Sequence, residues 1–148
     1  MLDIENIMMN PTYELATEVE KMRYKAYGVK KLLDVSDSEY IPDIMNGDEL
    51  VFLSLVDKNP IAACYISSFN NFLYVDYLFV LPEYQNTGLH IGRNLLEYVL
   101  KNKIIVEEHF KQKFKESSLC PGNMKVAKIY ESLGYKMNHT TGLMKKKI

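Results

Sequence analysis

A chain of 148 residues, 47% hydrophobic and 25% charged, has the length and apolar content of one soluble globular domain and too few residues for a second. Its net charge of −1 and pI near 6.3 argue against a dedicated nucleic-acid binder. No apolar run approaches the roughly 20 residues of a bilayer span, the start Met1-Leu2-Asp3-Ile4-Glu5 lacks the basic and apolar regions of a signal peptide, and Cys64 and Cys120 are too few and too far apart for a disulfide scaffold or a zinc cluster.

Leu2, Ile4 and Ile7 predict a short first strand. Pro11 and Thr12 then open a helix whose apolar residues Leu15, Val19, Met22 and Ala26 recur at three- and four-residue steps before Gly28. Lys30 to Asn46 reads as a weaker helical or loop region broken at Pro42. Three strands follow as a meander, Glu49 to Val56, Ile61 to Ser67 and Leu73 to Val80, joined by Asp57-Lys58-Asn59-Pro60 and by Phe69-Asn70-Asn71. Gly92 to about Phe110 reads as one long helix, Phe114 to Cys120 as a buried strand, Asn123 to Leu133 as a helix, and Tyr135 to Met137 with Gly142 to Lys147 as a last antiparallel pair.

The chemistry concentrates between Val75 and Glu97, VDYLFVLPEYQNTGLHIGRNLLE. A strand that delivers a loop of free amides onto a helix N-terminus makes an anion site, because unpaired N–H groups and the positive end of the helix dipole meet at one spot. This loop is neither a P-loop, lacking GxxxxGK[ST], nor a dinucleotide fingerprint, lacking GxGxxG.

It resembles the acetyl-CoA loop of the GNAT N-acetyltransferases, [QR]-x-x-G-x-[GA] after a strand ending near V-x-P-E-[YF]. Gln85-Asn86-Thr87-Gly88 fits the first four places and Val80-Leu81-Pro82-Glu83-Tyr84 the lead-in, while His90 stands where the pattern has Gly or Ala. A second register places Gly92 there, so that Gly92-Arg93-Asn94-Leu95-Leu96-Glu97 matches the usual G-x-x-L-L-E start of the helix. A second block, Asn123-Met124-Lys125-Val126-Ala127-Lys128-Ile129-Tyr130-Glu131-Ser132-Leu133-Gly134-Tyr135, resembles the family's N-x-x-A-x-x-[LI]-Y-x-x-x-G-[FY] segment. Val126, Ile129, Tyr130 and Leu133 fall at helical spacing there, and Gly134 stands where a helix ends in the left-handed conformation.

The resemblance implies a single mixed α/β domain: a mostly antiparallel sheet, flanked by helices, whose fourth and fifth strands splay apart to admit the cosubstrate. It implies acetyl-CoA without a metal, a cytoplasmic enzyme, and transfer to a primary amine by direct attack in a ternary complex. The edge amides of Phe79 and Val80 would pair with the pantetheine arm, and Gln85, Asn86, Thr87, Gly88, Leu89, His90, Ile91, Gly92 and Arg93 would hold the pyrophosphate. Tyr130 would give a proton to the departing thiolate, which suits a phenol protonated at neutral pH. Asp76, in Asp76-Tyr77-Leu78-Phe79-Val80, would take the amine's proton or orient a cationic substrate, with a paired structural carboxylate as the competing reading. Asn123 would contact the pantetheine, cap its helix, or both. Neither Cys64 nor Cys120 lies in a sequence pattern of His and Asn or Asp that would activate it for a covalent route.

Residues 1–100 carry 7 basic and 15 acidic side chains and residues 101–148 carry 11 and 4, so the small overall charge hides an acidic N-terminal part that would attract cationic amines. The acceptor's identity stays open among a small amine, a polyamine, an antibiotic, a peptide N-terminus and a protein lysine, because the Tyr-rich segment Tyr24 to Tyr40 belongs to a variable part of the fold. Dimerisation through a strand edge stays open too. A non-catalytic CoA-binding module is the alternative of a different class.

Overall fold

The computed structural model describes residues 2–28, 35 and 38–148. Seven strands form one sheet in the order β1-β2-β3-β4-β5-β7-β6, with strands Ile4–Met8 (β1), Leu50–Val56 (β2), Asn59–Phe69 (β3), Phe72–Val80 (β4), Glu116–Leu119 (β5), Lys136–Met137 (β6) and Met144–Lys147 (β7). The helices are Tyr13–Ala26 (α1), Tyr40–Asn46 (α2), Ile91–Lys101 (α3), Lys103–Phe110 (α4) and Met124–Ser132 (α5). No helix among the described residues is long and apolar enough to cross a membrane.

Strand alternation sends side chains to two separate cores. Leu50, Phe52, Cys64, Ile66, Leu73 and Val75 pack with Leu95, Val99, Val106, Tyr130 and Tyr135 from the α3, α4 and α5 side. Val51, Leu53, Ala63, Tyr65 and Phe79 pack on the other face with Ala16, Val19 and Met22 of α1 and Ile41 and Ile44 of α2.

The meander is pinned by two-residue turns at Asp57-Lys58 and Asn70-Asn71, all four residues at positive φ, the twist that tight hairpins require. The first turn is shorter than the sequence suggests. Asn59 and Pro60 already belong to β3, where Pro60 sits beside a register shift in the ladder with β2, a position that tolerates its missing N–H.

Two expectations change. Pro42 does not break the chain: it lies in the first turn of α2, where no intrahelical N–H is needed. The segment Lys30 to Asn46 is met only at this end, because residues 29–34, 36 and 37 lie outside the described residues. The single helix from Gly92 to Phe110 is two. Asn102 leaves the helical conformation (φ −101°, ψ 28°) and turns its Nδ2 back to donate to the Tyr98 carbonyl at 2.8 Å, so an amide side chain competes with the backbone and breaks the helix.

Two features of β4 shape the site. Tyr65 pairs with Tyr77 but Ile66 pairs with Val75, which leaves Asp76 as the unopposed residue of a β-bulge. The extra residue reverses the parity of the strand: Leu73 and Val75 before it and Leu78 and Val80 after it share one core, while Tyr77 and Phe79 join the other. Strand β5 runs parallel to β4 only from Leu73↔Ser117 to Val75↔Leu119. Beyond Val75 the two strands part, and β4 continues to Val80 with an open side.

Candidate active site

The open side of β4 has a definite polarity. Leu81 N–H donates to the Ile61 carbonyl at 2.8 Å, so in this antiparallel ladder the pairs Ile61/Leu81 and Ala63/Phe79 exchange hydrogen bonds across β3 and β4. The backbone groups of Phe79 are therefore committed to β3. Val80, with Leu78, turns its N–H and C=O toward the gap. The Val80 carbonyl is already met by Gln85 Nε2 at 2.7 Å.

From Val80 the chain passes through a single tight turn, Pro82–Tyr84, into an exposed loop. Gly88 holds φ +78°, which a glycine adopts without strain. Asn86 and His90 hold positive φ as well. His90 is the residue that precedes α3, exposed and left-handed, and its ring makes no cap bond. Among the described residues the N–H groups of Asn86, Thr87, Gly88, His90, Ile91, Gly92 and Arg93 donate to nothing in the protein, whereas that of Leu89 reaches Thr87 Oγ1 at 3.4 Å. Asn94 Nδ2 ties the Leu89 carbonyl at 3.1 Å.

The helix begins at Ile91 with Gly92 in its first turn, in line with the register that starts the helix motif at Gly92. A Cβ at Gly92 would stand 3.4 Å from Val80 Cγ2, so the absence of a side chain lets α3 rest on β4. The Arg93 side chain lies outward against Glu97 at 3.6 Å, both about two-fifths exposed.

Helix α5 follows β5, the strand on the gap's other side. Asn123 is its N-cap, accepting from Val126 N–H at 2.9 Å, which leaves the two amide hydrogens of its side chain for other partners. At the far end Gly134 N–H donates to Glu131 and Tyr135 N–H to Tyr130, with Gly134 at φ +97°. That doubled closure is the Schellman arrangement, and the hydrophobic contact that accompanies it is the Tyr130–Tyr135 ring pair at 6.0 Å. Tyr130 is thereby fixed in a buried position, 7% exposed. Burial pushes its phenol well above the ordinary range, with further upward pressure from the neighbouring Cys64, Tyr27 and Tyr135.

On the opposite face a polar network lies under aromatic rings. Glu20 of α1, wholly buried, takes two bonds from Arg23 at 2.8 and 3.0 Å, one from Tyr65 Oη at 2.7 Å and one from Ser38 Oγ. Burial pulls its carboxyl pKa up, and the bonds from Arg23, Ser38 and Tyr65 outweigh this and leave it lowered. The Arg23 guanidinium lies over Tyr40 at 5.0 Å and Tyr77 at 4.6 Å.

Among the described residues three buried side-chain oxygens have no hydrogen-bond partner. They are Asp76 Oδ2, Glu49 Oε1 and Ser118 Oγ. Ser118 pairs with Tyr74, one step before the last pair of the ladder. Sequence reasoning named Asp76 and missed the other two: Glu49 precedes an apolar strand, Ser118 sits inside one, and neither carries a motif. The structure records no contact between Asp76 and Tyr130, and among the described residues no group of three or more His, Cys, Asp or Glu side chains is arranged to hold a metal ion.

A mixed sheet with a gap between two parallel strands, and a loop of free amides at the gap's outer end, is the architecture of an acyl-CoA transferase. The model of the acetyltransferase (GNAT) family matches residues 11–135, and the chain belongs to that family. No curated protein matches the chain significantly. Among solved structures, an acetyltransferase from Thermus thermophilus is similar with a TM-score of 0.75 at 13% identity, all of both chains being covered. The PaiA N-acetyltransferase of Thermoplasma acidophilum in complex with coenzyme A gives 0.65 at 21% identity over 99% of this chain and all of that one. A GNAT family acetyltransferase from Brucella melitensis in complex with acetyl-CoA gives 0.69 at 13% identity over all of this chain and 90% of that one.

Proposed function

We propose that the protein is an acetyl-CoA-dependent N-acetyltransferase that passes the acetyl group to a primary amine by direct attack in a ternary complex. The observation that carries this is the row of undonated N–H groups from Asn86 to Arg93 at the N-terminus of α3, at the open end of β4. Such a row suits the two phosphates of a pyrophosphate, through hydrogen bonds and the helix dipole together. The coenzyme A and acetyl-CoA complexes of the Thermoplasma and Brucella proteins support the same cosubstrate here, and the Thermoplasma protein, an N-acetyltransferase, supports nitrogen as the acceptor.

In this reading the Val80 N–H pairs with the pantetheine arm, in place of the two edge amides expected from the sequence, and Asn123 offers its free amide hydrogens to the same arm. Acetyl transfer needs a neutral amine, stabilisation of the charge that develops on the carbonyl oxygen, and a proton for the thiolate. Tyr130 supplies the proton: a phenol held neutral by burial approaches sulfur without bringing a charge. Asp76, lifted out of the ladder by the bulge, receives the proton of the amine. Cys64 is unsuited to carry the acetyl group, because burial, with the nearby Glu49 and Asp76, pushes its thiol far up.

Titration calorimetry with acetyl-CoA, with CoA and with a phosphate-free pantetheine thioester tests the binding half. Tight binding of the first two and a loss of at least tenfold for the third is expected. Equal affinity for all three would remove the Gln85 to Arg93 loop from the site.

A further inference from the structure

One face of the sheet lies outside the site described so far. Leu73 and Val75 of β4, Leu119 of β5 and Met144 of β7 point into the core under α3, α4 and α5. Ser117 points the same way, bonded to Tyr135, and so does Lys146, whose Nζ reaches the Leu133 carbonyl at the end of α5. Alternation therefore turns Tyr74, Ser118, Lys145 and Lys147 to the opposite side, the side that carries α1 and α2. Phe72 shares it, since Lys145 Nζ lies 4.6 Å over its ring. Phe69 shares it too, against the Tyr74 ring at 5.4 Å, and so does Lys136, the cross-strand partner of Lys145.

Ser118 is the floor of this patch. It is wholly buried, its Oγ has no hydrogen-bond partner among the described residues, and its neighbours on the two adjacent strands are Tyr74 and Lys145. Because β5 lies between β7 and β4, Lys145 reaches Phe72 only by crossing over the strand that holds this hydroxyl. Lys136 and Lys145 stand directly opposite each other, a spacing of about 5 Å at Cβ at which like charges destabilise a sheet. Neither they nor Lys147 is in an ion pair with another described residue. Glu116, opposite Lys147, offsets one of the three charges. Two adjacent cations over an unused hydroxyl, beside aromatic rings, match a phosphate, which carries nearly two negative charges at neutral pH and offers three acceptor oxygens.

The patch adjoins the gap. After Tyr74↔Ser118 comes one further pair, Val75↔Leu119, and then the strands part, so the hydroxyl stands about 3–7 Å short of the opening. With the pyrophosphate at the outer end beside α3, the thioester lies toward this inner end.

We propose that Ser118, Lys145 and Lys136 form a phosphate site at the inner end of the gap, so that the enzyme selects small amines that carry a phosphate ester. This rests on the N-acetyltransferase reading above. Lys145 gives up its contact with the Phe72 ring for a charge-assisted bond to phosphate, the stronger of the two at an exposed position, and uncovers Ser118 Oγ, which donates to a second phosphate oxygen. The amine, a few bonds from its phosphate, then reaches the thioester. The ammonium loses two protons, one to solvent by way of Asp76 and one that makes good the Tyr130 proton given to sulfur. The N–C bond forms and the C–S bond breaks with its electron pair on sulfur. The products are a phosphorylated acetamide and a free thiol, with the phosphate ester untouched.

The test is steady-state kinetics of the full chain with acceptor pairs that differ only by a phosphate ester: ethanolamine, serine and glucosamine against O-phosphoethanolamine, O-phosphoserine and glucosamine 6-phosphate. At least one phosphorylated acceptor should exceed its parent in kcat/KM by about tenfold or more, and inorganic phosphate should compete with it. In the double variant Lys136→Gln/Lys145→Gln the ratio within that pair should fall to about threefold or less. Ser118→Ala should lower the ratio by a smaller factor and leave the unfolding midpoint level or raised, because the hydroxyl has no partner in the protein to lose. A lowered midpoint would assign the hydroxyl to the fold and overturn its part in the site. No preference in any pair, a preference that survives the double substitution, or β-alanine serving as well as O-phosphoethanolamine would overturn the phosphate site. Acetylation of the unphosphorylated amines would in those cases keep the transferase reading. Inhibition by an RNA oligonucleotide that the double substitution relieves, with no preference among the pairs, would overturn the small acceptor in favour of a polymer. Calorimetry that shows inorganic phosphate bound through Lys136 and Lys145 to a protein that acetylates no amine would keep the site and remove the transferase reading on which its role depends.

Discussion

The two sides of the β4 gap are built on opposite principles. The Gln85 to Arg93 side is exposed backbone: amides aimed outward, a left-handed Gly88 and a helix start, with side chains serving mainly to tie the loop, as Gln85 does at Val80 and Asn94 at Leu89. The side beneath α1 and α2 is buried side chain: Glu20 in four hydrogen bonds and Arg23 among tyrosine rings. In the proposed function the backbone side would hold the phosphates, and the acceptor would be sought on the second side.

Substitutions at four positions separate the two sides, taken from the largest expected effect downward. Tyr130→Phe removes the proposed proton donor and keeps the ring; kcat should drop by about 10²- to 10⁴-fold, the usual worth of a positioned acid, with acetyl-CoA affinity unchanged by calorimetry. An unchanged rate would take Tyr130 out of the chemistry and leave it as the Schellman contact of α5.

Glu20→Leu leaves Arg23 and the Tyr65 hydroxyl buried without their partner, and urea unfolding should register a loss of about 3–5 kcal/mol. The pH dependence follows from the same network. The Glu20 carboxyl lies below its ordinary value of 4.5 in the folded protein, so its contribution is present above that value and disappears as pH falls through the folded one. Glu20→Gln should lose that acid sensitivity, and a wild-type stability flat from neutrality to acid would contradict the network's role.

Gly88→Val acts on the exposed side alone. Nothing lies within 4 Å of an added Cβ, yet the left-handed backbone is strained by about 1–2 kcal/mol for a branched residue. The exposed loop can relax out of that conformation when empty and must regain it to bind, so acetyl-CoA affinity should fall by roughly 5- to 30-fold with little change in the unfolding midpoint; an unaltered affinity would show that this loop does not touch the ligand. Asn123→Ala is the smallest. Loss of the cap is worth about 1 kcal/mol and should lower the melting temperature by roughly 2–4 °C, with a rise in the KM for acetyl-CoA only if the amide also meets the pantetheine.

The same contrast governs what could be read from the sequence. Strand periodicity, turn residues and two spaced motifs gave the element order and the outer loop, because those signals are local. Asn102 was not legible as a helix break, since its amide turns back only once α3 has formed around Tyr98. The commitment of Phe79 to β3 depends on which pairs in the ladder exchange hydrogen bonds, a property of register that alternation alone does not contain. Glu49 was invisible for a stronger reason: it stands just ahead of an apolar strand, and only the fold buries its carboxyl without a partner.

The most direct test of the central claim is release of free thiol from acetyl-CoA by the purified protein, with mass detection of the acetylated acceptor, over a set of aliphatic mono- and diamines and a neutral alcohol. The account predicts thiol release matched mole for mole by an acetamide, from amines and not from the alcohol. Tight acetyl-CoA binding with no thiol released from any amine would contradict it and leave a CoA-binding module.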